Sequence, residues 1–183
     1  MDSIRVQQQI EDSIQAKKEI SVEVLVRAGE VIKQALQSGH KVLLAGNGGS
    51  AADAQHIAAE LVGRFLKERV SLPAIALTAN SSTVTAIAND YGYDKVFARQ
   101  VEGLGQSGDV LVLITTSGNS INLIEAAKVA KQKELTVIGL TGKGGGALKD
   151  HCDHHLTVNH QSTPRIQEAH ILMGHILCAY IDE

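Results

Sequence analysis

Aromatic residues are scarce in this chain of 183 residues, which has three Tyr, two Phe and no Trp. Proteins that bind single-stranded nucleic acids, and many lectins, use exposed aromatic rings as stacking platforms. With so few rings, some of them needed in the core, the chain has little to build such a platform from. The scarcity argues against a function based on stacking against bases or sugars.

An excess of positive charge is also missing. The 17 Lys and Arg residues against 20 Asp and Glu residues leave a formal net charge of −3, and no run of basic residues interrupts the sequence. Affinity for a nucleic-acid backbone depends on Lys and Arg side chains that neutralise phosphates. We therefore expect no direct nucleic-acid partner.

Cysteines and long apolar runs are rare as well. Cys152 and Cys178 are the only cysteines in the sequence, too few for a disulfide framework. No apolar run approaches the roughly 20 residues of a membrane-spanning helix, and the charged N-terminus lacks the apolar core of a signal peptide. The sequence predicts a soluble, cytoplasmic protein with no membrane partner.

Short apolar runs alternate with helical patterns along most of the chain. Helical spacing extends from Ser3 to about Gln37 and predicts two N-terminal helices, with Gly39 as a stop signal. The strands that follow are predicted at 41–45, 73–77, 109–114, 135–140 and 155–158, and the helices at 51–66, 81–89, 94–104, 120–133 and 164–182. This order predicts an α/β fold, a doubly wound five-stranded parallel sheet with helices on both faces, and one domain over residues 1–183.

The loop after the first predicted strand is rich in glycine. In an open sheet of this kind, ligands bind beyond the carboxyl ends of the strands. The GNGGS segment, Gly46 to Ser50, leads into a helix, where free backbone N–H groups favour an anion. The segment also fits the dinucleotide fingerprint, but no carboxylate follows the second strand to hold a ribose. A phosphate or oxyanion cradle is the prediction, with a dinucleotide site and a simple tight turn as alternatives.

The loop after the third predicted strand is rich in hydroxyl groups. TTSGNS places Thr115, Thr116, Ser117 and Ser120 just before a helix. Helix capping uses one hydroxyl, not four. Converging hydroxyls and free N–H groups suit the phosphate of a small metabolite, and an ordinary Ser/Thr turn is the alternative. The next glycine-rich loop, 141–146, lacks the spacing of a nucleotide-binding P-loop and is interpreted as a turn.

Two helices carry paired titratable residues. His56 and Glu60 are four residues apart, so they share a helix face and can reach one metal ion or substrate; a surface pair is the alternative. On the last helix, Glu168 nearly eclipses His175, and Gln167 lies roughly 80° from His175 on the same side. Spacing alone leaves the choice between Gln167 and Glu168 open.

Other histidines receive no role in a site. His170 lies away from the stripe that contains His175. The cluster HCDHH, residues 151–155, has the composition of a metal site, but it precedes a strand whose alternation sends His154 and His155 to opposite faces. That is also the amino end of the sheet, so structural or solvent-facing roles are expected.

Four segments together resemble one known family. They are GNGGSAADAQHIAAE, TAIANDYGYD, TTSGNS and RIQEAHILMGH, and they resemble the sugar isomerase (SIS) domain family and, within it, the phosphoheptose isomerases. The resemblance covers essentially the whole chain. It implies a flavodoxin-like SIS fold and a homotetramer with active sites between subunits, in which the N-terminal helices of residues 1–38 pack across protomers.

The resemblance also implies a set of site residues. Those on the substrate would be Asn47, Gly48, Gly49, Ser50, Asn89, Asp90, Thr115, Thr116, Ser117, Ser120 and Gln167. One zinc ion per subunit would be held by His56, Glu60, Gln167 and His175, although Gln is an uncommon zinc ligand. The preference for Gln167 over Glu168 rests on the resemblance alone.

The implied reaction converts D-sedoheptulose 7-phosphate into D-glycero-D-manno-heptose 7-phosphate for the heptose of the lipopolysaccharide core. A proton leaves C1, an enediol forms, and C2 is reprotonated. Glu60 would be the base and His175 the acid, with zinc polarising the carbonyl. Whether these two residues carry protons, bind the metal or do both stays open.

Two other functions remain for a chain of this family. One is a non-catalytic tetrameric SIS scaffold that binds the bacterial replication initiator protein, and the other is a sugar-phosphate sensing module. Retention of Glu60 and His175 favours the isomerase over the scaffold. A sensing module is usually joined to a DNA-binding domain, for which 183 residues leave no room.

Overall fold

A five-stranded parallel sheet forms the centre of the computed structural model, which describes residues 2–183. The strands are β1 (Val42–Gly46), β2 (Ala74–Ala76), β3 (Val110–Thr115), β4 (Thr136–Gly142) and β5 (His154–Val158). Their order in the sheet is β2-β1-β3-β4-β5, and every neighbouring pair is parallel. The predicted doubly wound parallel sheet is confirmed.

Seven α-helices surround the sheet in the described part of the chain. They are α1 (Ser3–Lys18), α2 (Val22–Gln37), α3 (Gly49–Val62), α4 (Ser81–Tyr91), α5 (Val96–Leu104), α6 (Ile121–Gln132) and α7 (Thr163–Asp182). Three begin at a capping side chain, because Asp2, Ser21 and Asn80 each accept a hydrogen bond from the backbone N–H three residues further on. None of the helices within residues 2–183 is long and apolar enough to cross a membrane.

The three central strands, β1, β3 and β4, bury both of their faces. In β1, Val42 and Leu44 pack into a cluster with α2, α3 and α7, whereas Leu43 and Ala45 pack into a second cluster with α5 and α6. Successive side chains of a strand point to opposite faces, so a strand covered on both sides needs apolar residues at every position. This explains the uninterrupted apolar runs of the sequence.

The glycine-rich segment after β4 supports the loop after β3. The 3₁₀ turns within Lys143–His151 are interrupted at Gly144, Gly145 and Gly146, whose φ angles are positive, so the glycines of this loop form a turn, as the sequence predicts. Gly118 has a φ of +68°, and a Cβ there would lie 1.9 Å from the carbonyl oxygen of Gly145. The N–H of Leu148 donates to the Gly118 carbonyl at 2.9 Å, and that of Ala147 donates to Asn119 Oδ1 at 3.0 Å. Only glycine permits this approach of two backbones.

The order of the strands changes direction at β1, because β2 pairs with one edge of β1 and β3 pairs with the other. Strands β1 and β3 are neighbours, yet α3 after β1 packs on one face and α6 after β3 packs on the other. The two connections diverge and leave a crevice at the carboxyl ends of the strands, where doubly wound folds bind their ligands.

Candidate active site

A small cavity opens in this crevice, with a volume of ≈110 Å³. It is lined by Asn47, Ser50, Ile114, Thr115, Thr116, Ser117, Ser120 and Gln167. None of these side chains is charged, and five of them carry a hydroxyl. We call it the hydroxyl cavity. It brings the end of the GNGGS loop, the TTSGNS loop and the first turns of α7 together.

Three hydroxyls of the TTSGNS loop lie close together, and that of Ser117 also accepts a hydrogen bond from the Asn119 N–H at 3.1 Å. Thr115 Oγ1 lies 3.1 Å from Ser120 Oγ and 3.4 Å from Ser117 Oγ. Ser120 occupies the N-cap position of α6, but its side chain makes no capping hydrogen bond. The first N–H groups of α6 are therefore left for a ligand, and a helix N-terminus favours an anion.

Asn47 is held in place by residues that the sequence did not single out. Its amide exchanges two hydrogen bonds with the amide of Asn122, at 3.0 and 2.9 Å. The Tyr93 hydroxyl donates to Asn47 Oδ1 at 3.1 Å. Asn122 is buried in the first turn of α6, close to TTSGNS in sequence, but only the folded sheet reveals its partner.

Gln167 and Glu168 take different directions from the start of α7. A Cβ at Gly49 would lie 2.5 Å from Gln167 Nε2, so the glycine allows Gln167 to reach the start of α3. Glu168 instead pairs with Arg165, which also donates to the carbonyl of Gln9 in α1 at 2.9 Å. Gln167 therefore lines the hydroxyl cavity, whereas Glu168 faces α1.

A cluster of two imidazoles and a carboxylate joins α3 to α7. His56 Nε2 lies 2.9 Å from His175 Nε2 and 3.4 Å from Glu60 Oε1. We call these three residues the His–Glu cluster. The His56 side chain is 44% exposed and that of Glu60 is 24% exposed, so the cluster can be reached by a substrate.

Asp53 faces this cluster and was missed by the sequence reasoning. Burial raises the pKa of Asp53, and the nearby His56 and His175 partly oppose that rise. Its Oδ2 atom is buried without a hydrogen-bond partner within the described residues. Asp53 lies one helical turn before His56, which is the only signal of its position that the sequence contains.

The donor chemistry of the His–Glu cluster fits zinc. Two imidazole nitrogens and one carboxylate oxygen form a typical zinc ligand set, whose ligand atoms lie about 3.3 Å apart in a tetrahedral site. The two nitrogens lie 2.9 Å apart, closer than in such a site. Within residues 2–183, no group of three or more His, Cys, Asp or Glu side chains is arranged so that it could hold a metal ion, and Gln167 makes no hydrogen bond to the cluster.

Two residues of the predicted substrate set lie apart from the hydroxyl cavity. Asn89 and Asp90 are exposed on α4, where Asn89 Nδ2 donates to Asp90 Oδ1 at 2.8 Å. Asp90 lines a different cavity, between α4 and α5. Gly48 and Gly49 instead begin α3 beside the hydroxyl cavity, with Gly48 at a φ of +57°.

His155 and His170, two of the other histidines, pack within the fold. His155 Nε2 lies 2.6 Å from Thr141 Oγ1, and Lys131 pairs with Asp153 of the HCDHH segment. His170 is fully buried, and burial lowers its pKa to about 4, so its imidazole is neutral at pH 7. These residues lie outside the hydroxyl cavity and the His–Glu cluster.

A doubly wound sheet with a hydroxyl-lined cavity at its switch point has the architecture of a sugar-phosphate isomerase domain. A family model described as the SIS domain matches residues 7–142. A phosphoheptose isomerase from a Nitratiruptor species is 62% identical over 150 residues, covering 82% of this chain and 80% of that protein.

Solved structures agree with this match. The structure of a phosphoheptose isomerase from Neisseria gonorrhoeae superposes with a TM-score of 0.91 at 49% identity and covers 97% of each chain. That of a phosphoheptose isomerase from Francisella tularensis has a TM-score of 0.94 at 42% identity, covering 100% of this chain and 99% of that one. The chain belongs to the SIS domain family and, within it, to the phosphoheptose isomerases, which are aldose–ketose isomerases.

The hydroxyl cavity generates a prediction that does not depend on catalysis. Ser120→Ala removes a hydroxyl whose one partner among the described residues is Thr115, so binding of inorganic phosphate should weaken by about tenfold, the value of one hydrogen bond to a charged group. Isothermal titration calorimetry measures the change. Ser107→Ala is the matched control, because Ser107 lies on an exposed turn before β3 and its hydroxyl donates to Glu134. Equal phosphate affinity in both variants would exclude the hydroxyl cavity as the anion site.

Proposed function

We propose that this isomerase interconverts D-sedoheptulose 7-phosphate and D-glycero-D-manno-heptose 7-phosphate. The proposal is carried by one observation: the hydroxyl cavity, which has no charged side chain, and the titratable His–Glu cluster both lie along α3. Ser50 lines the hydroxyl cavity, and His56 follows about 9 Å further along α3. A long-chain sugar phosphate can therefore leave its phosphate among the hydroxyls while its carbonyl end reaches the His–Glu cluster. The names of the relatives support a heptose substrate.

The proton transfers fall to Glu60 and His175. Glu60 removes the proton from C1, and His175 protonates C2 and exchanges protons with the substrate oxygens. His56 lies within 3.4 Å of both partners and orients them. An enediol needs an acid and a base within hydrogen-bond reach of adjacent carbons, and two helices that meet at the cluster supply them.

Loss of either proton carrier should abolish turnover. Glu60→Gln and His175→Gln keep the side-chain size but remove the basic carboxylate and the imidazole, so kcat should fall by roughly 100-fold or more. Exchange of substrate hydrogen with deuterated water, followed by NMR, measures the first step directly. His154→Gln, at the amino end of β5, is the control and should leave exchange unchanged.

Two results would contradict this assignment. Normal exchange in either variant would remove that residue from the chemistry. A wild-type protein that shows no exchange but binds the bacterial replication initiator protein would support the scaffold function instead.

We further propose that zinc binds at the His–Glu cluster, with Gln167 as the fourth ligand. A bound zinc ion would polarise the substrate carbonyl and stabilise the enediolate oxygens. Wild-type protein should contain one zinc ion per subunit by metal analysis, and His56→Gln should lose most of it. His155→Gln serves as the control, since His155 bonds to Thr141 on the sheet. Equal zinc content in wild type and His56→Gln would contradict the site.

We also propose that the protein assembles into a homotetramer. Ile4, Ile10 and Ile14 of α1 are 79%, 50% and 41% exposed, and an apolar groove of ≈300 Å³ lies between α1, α2 and α7. Exposed apolar stripes of this kind mark protein–protein contacts. They support a homotetramer in which residues 1–38 pack across protomers around shared active sites.

Disruption of the α1 stripe should separate the subunits. Ile10→Asp together with Ile14→Asp places charges on the apolar stripe, so the sedimentation mass should fall below that of a tetramer. Gln8→Asp together with Gln15→Asp adds the same charge at exposed positions of α1 that point away from Ile10 and Ile14, and should leave the mass unchanged. A wild-type monomer would refute the assembly.

A further inference from the structure

The segment between α3 and β2 is fastened to the end of α7 by one buried carboxylate. Asp182 Oδ2 accepts hydrogen bonds from the backbone N–H groups of Leu66 and Lys67, at 2.7 and 3.0 Å. Its Oδ1 accepts one from Arg69 Nε at 2.8 Å, and the Asp182 side chain is only 2% exposed. These contacts, which we call the Asp182 clamp, hold a segment that has no regular secondary structure of its own.

Arg69 extends the clamp to the end of α3. Its guanidinium donates to the carbonyl of Glu60 and to that of Leu61, each at 2.9 Å. The last carbonyls of a helix lack intrahelical partners, and a basic side chain can satisfy them. Arg69 therefore fixes the backbone turn that carries Glu60.

Phe65 connects the clamp to the second titratable residue. Its ring stacks on the imidazole of His175, with centroids 5.6 Å apart and planes 19° from parallel. Phe65 directly precedes Leu66, whose N–H group Asp182 holds. The clamp thus runs from the end of α7 through the segment and back onto His175 on the same helix.

The position of Asp182 is electrostatically unfavourable without these donors. It is the last residue of α7, where the helix dipole disfavours a negative charge, and it is buried. Burial opposes ionisation, but the hydrogen bonds from Lys67, Arg69 and Leu66 outweigh it and hold the pKa of Asp182 below its ordinary value. Because the protein keeps a charged carboxylate at this unfavourable position, we infer that the contacts of Asp182 are important.

We propose that Asp182 is a positioning residue for the isomerisation, acting through Arg69 and Phe65 on Glu60 and His175. The inference rests on the proposed function of Glu60 and His175 as proton carriers. Proton transfer requires both groups within hydrogen-bond reach of the reacting carbons, and supporting contacts fix such groups to within a fraction of an ångström. The Asp182 clamp supplies that support from outside the His–Glu cluster.

The first test compares two buried carboxylates with the same pattern of contacts. Asp109 accepts hydrogen bonds from the backbone N–H groups of Lys41 and Gln106 and from Lys41 Nζ, and its side chain is 1% exposed. It precedes β3, at the opposite end of the sheet from the site. Asp182→Asn and Asp109→Asn should lower Tm to a similar extent.

Only the Asp182 variant should affect the reaction. At a temperature where both variants are folded, kcat should fall on the order of 100-fold in Asp182→Asn, as a small misplacement of a reacting group would cause. KM should change little, because the hydroxyl cavity is untouched. In Asp109→Asn, both kcat and KM should equal those of wild type.

The second test reads the position of His175 without substrate. The Phe65 ring shifts the resonances of the His175 ring protons, which are observed by NMR in histidine-labelled protein and assigned with His175→Gln. Phe65→Leu should remove this shift and lower kcat, and Phe65→Tyr, which keeps the ring, should restore both. Asp182→Asn should move the same resonances, and Asp109→Asn should not.

The outcomes separate this inference from the proposed function. An Asp182→Asn protein with the kcat and His175 resonances of wild type overturns the positioning role. Equal losses of kcat in Asp182→Asn and Asp109→Asn overturn it as well, because they reveal a general loss of stability. If wild type isomerises no sugar phosphate but Asp182→Asn still moves the His175 resonances, the proposed function fails and the structural coupling stands.

Discussion

The divergence of the connections after β1 and β3 is the constraint on which the site depends. The two strands pair along their whole length, but α3 and α6 leave on opposite faces of the sheet, so their N-termini flank one crevice without filling it. The crevice therefore offers N–H groups from a helix start and hydroxyls from the loop after β3, which are groups suited to binding a phosphate. The segment after β4 makes this arrangement rigid, because the backbone at Gly118 packs directly against Gly145.

The uncharged polar groups and the titratable groups of the site lie in two separate regions. The hydroxyl cavity has no charged side chain in its lining, so a phosphate in it would be stabilised by the helix dipole and by hydrogen bonds. The titratable groups stand further along α3, where Asp53, His56 and Glu60 follow one another at intervals of about one turn.

Local pattern was sufficient to predict the sheet, because strands buried on both faces must be apolar throughout and are separated by helical periodicity. The hydroxyl loop and the His56–Glu60 pair were also visible, since each lies within one short segment. Contacts between segments that are distant in the sequence could not be predicted in this way. Asn122, Tyr93 and Asp53 depend on partners across the crevice, and the separate directions of Gln167 and Glu168 depend on Gly49 and Arg165. The sequence contains those residues, but only the register of the strands brings them together.

Asp109 and Asp182 show why a contact pattern alone does not define a function. Each is a buried carboxylate that accepts two backbone N–H groups and one basic side chain, and each holds a segment to the sheet or to a helix. The difference lies in what the held segment carries. The segment that Asp109 holds lies at the amino ends of the strands, where a doubly wound fold has no site. The one that Asp182 holds carries Phe65 to His175, so the same stabilising interaction acquires a role in positioning through its location in the fold.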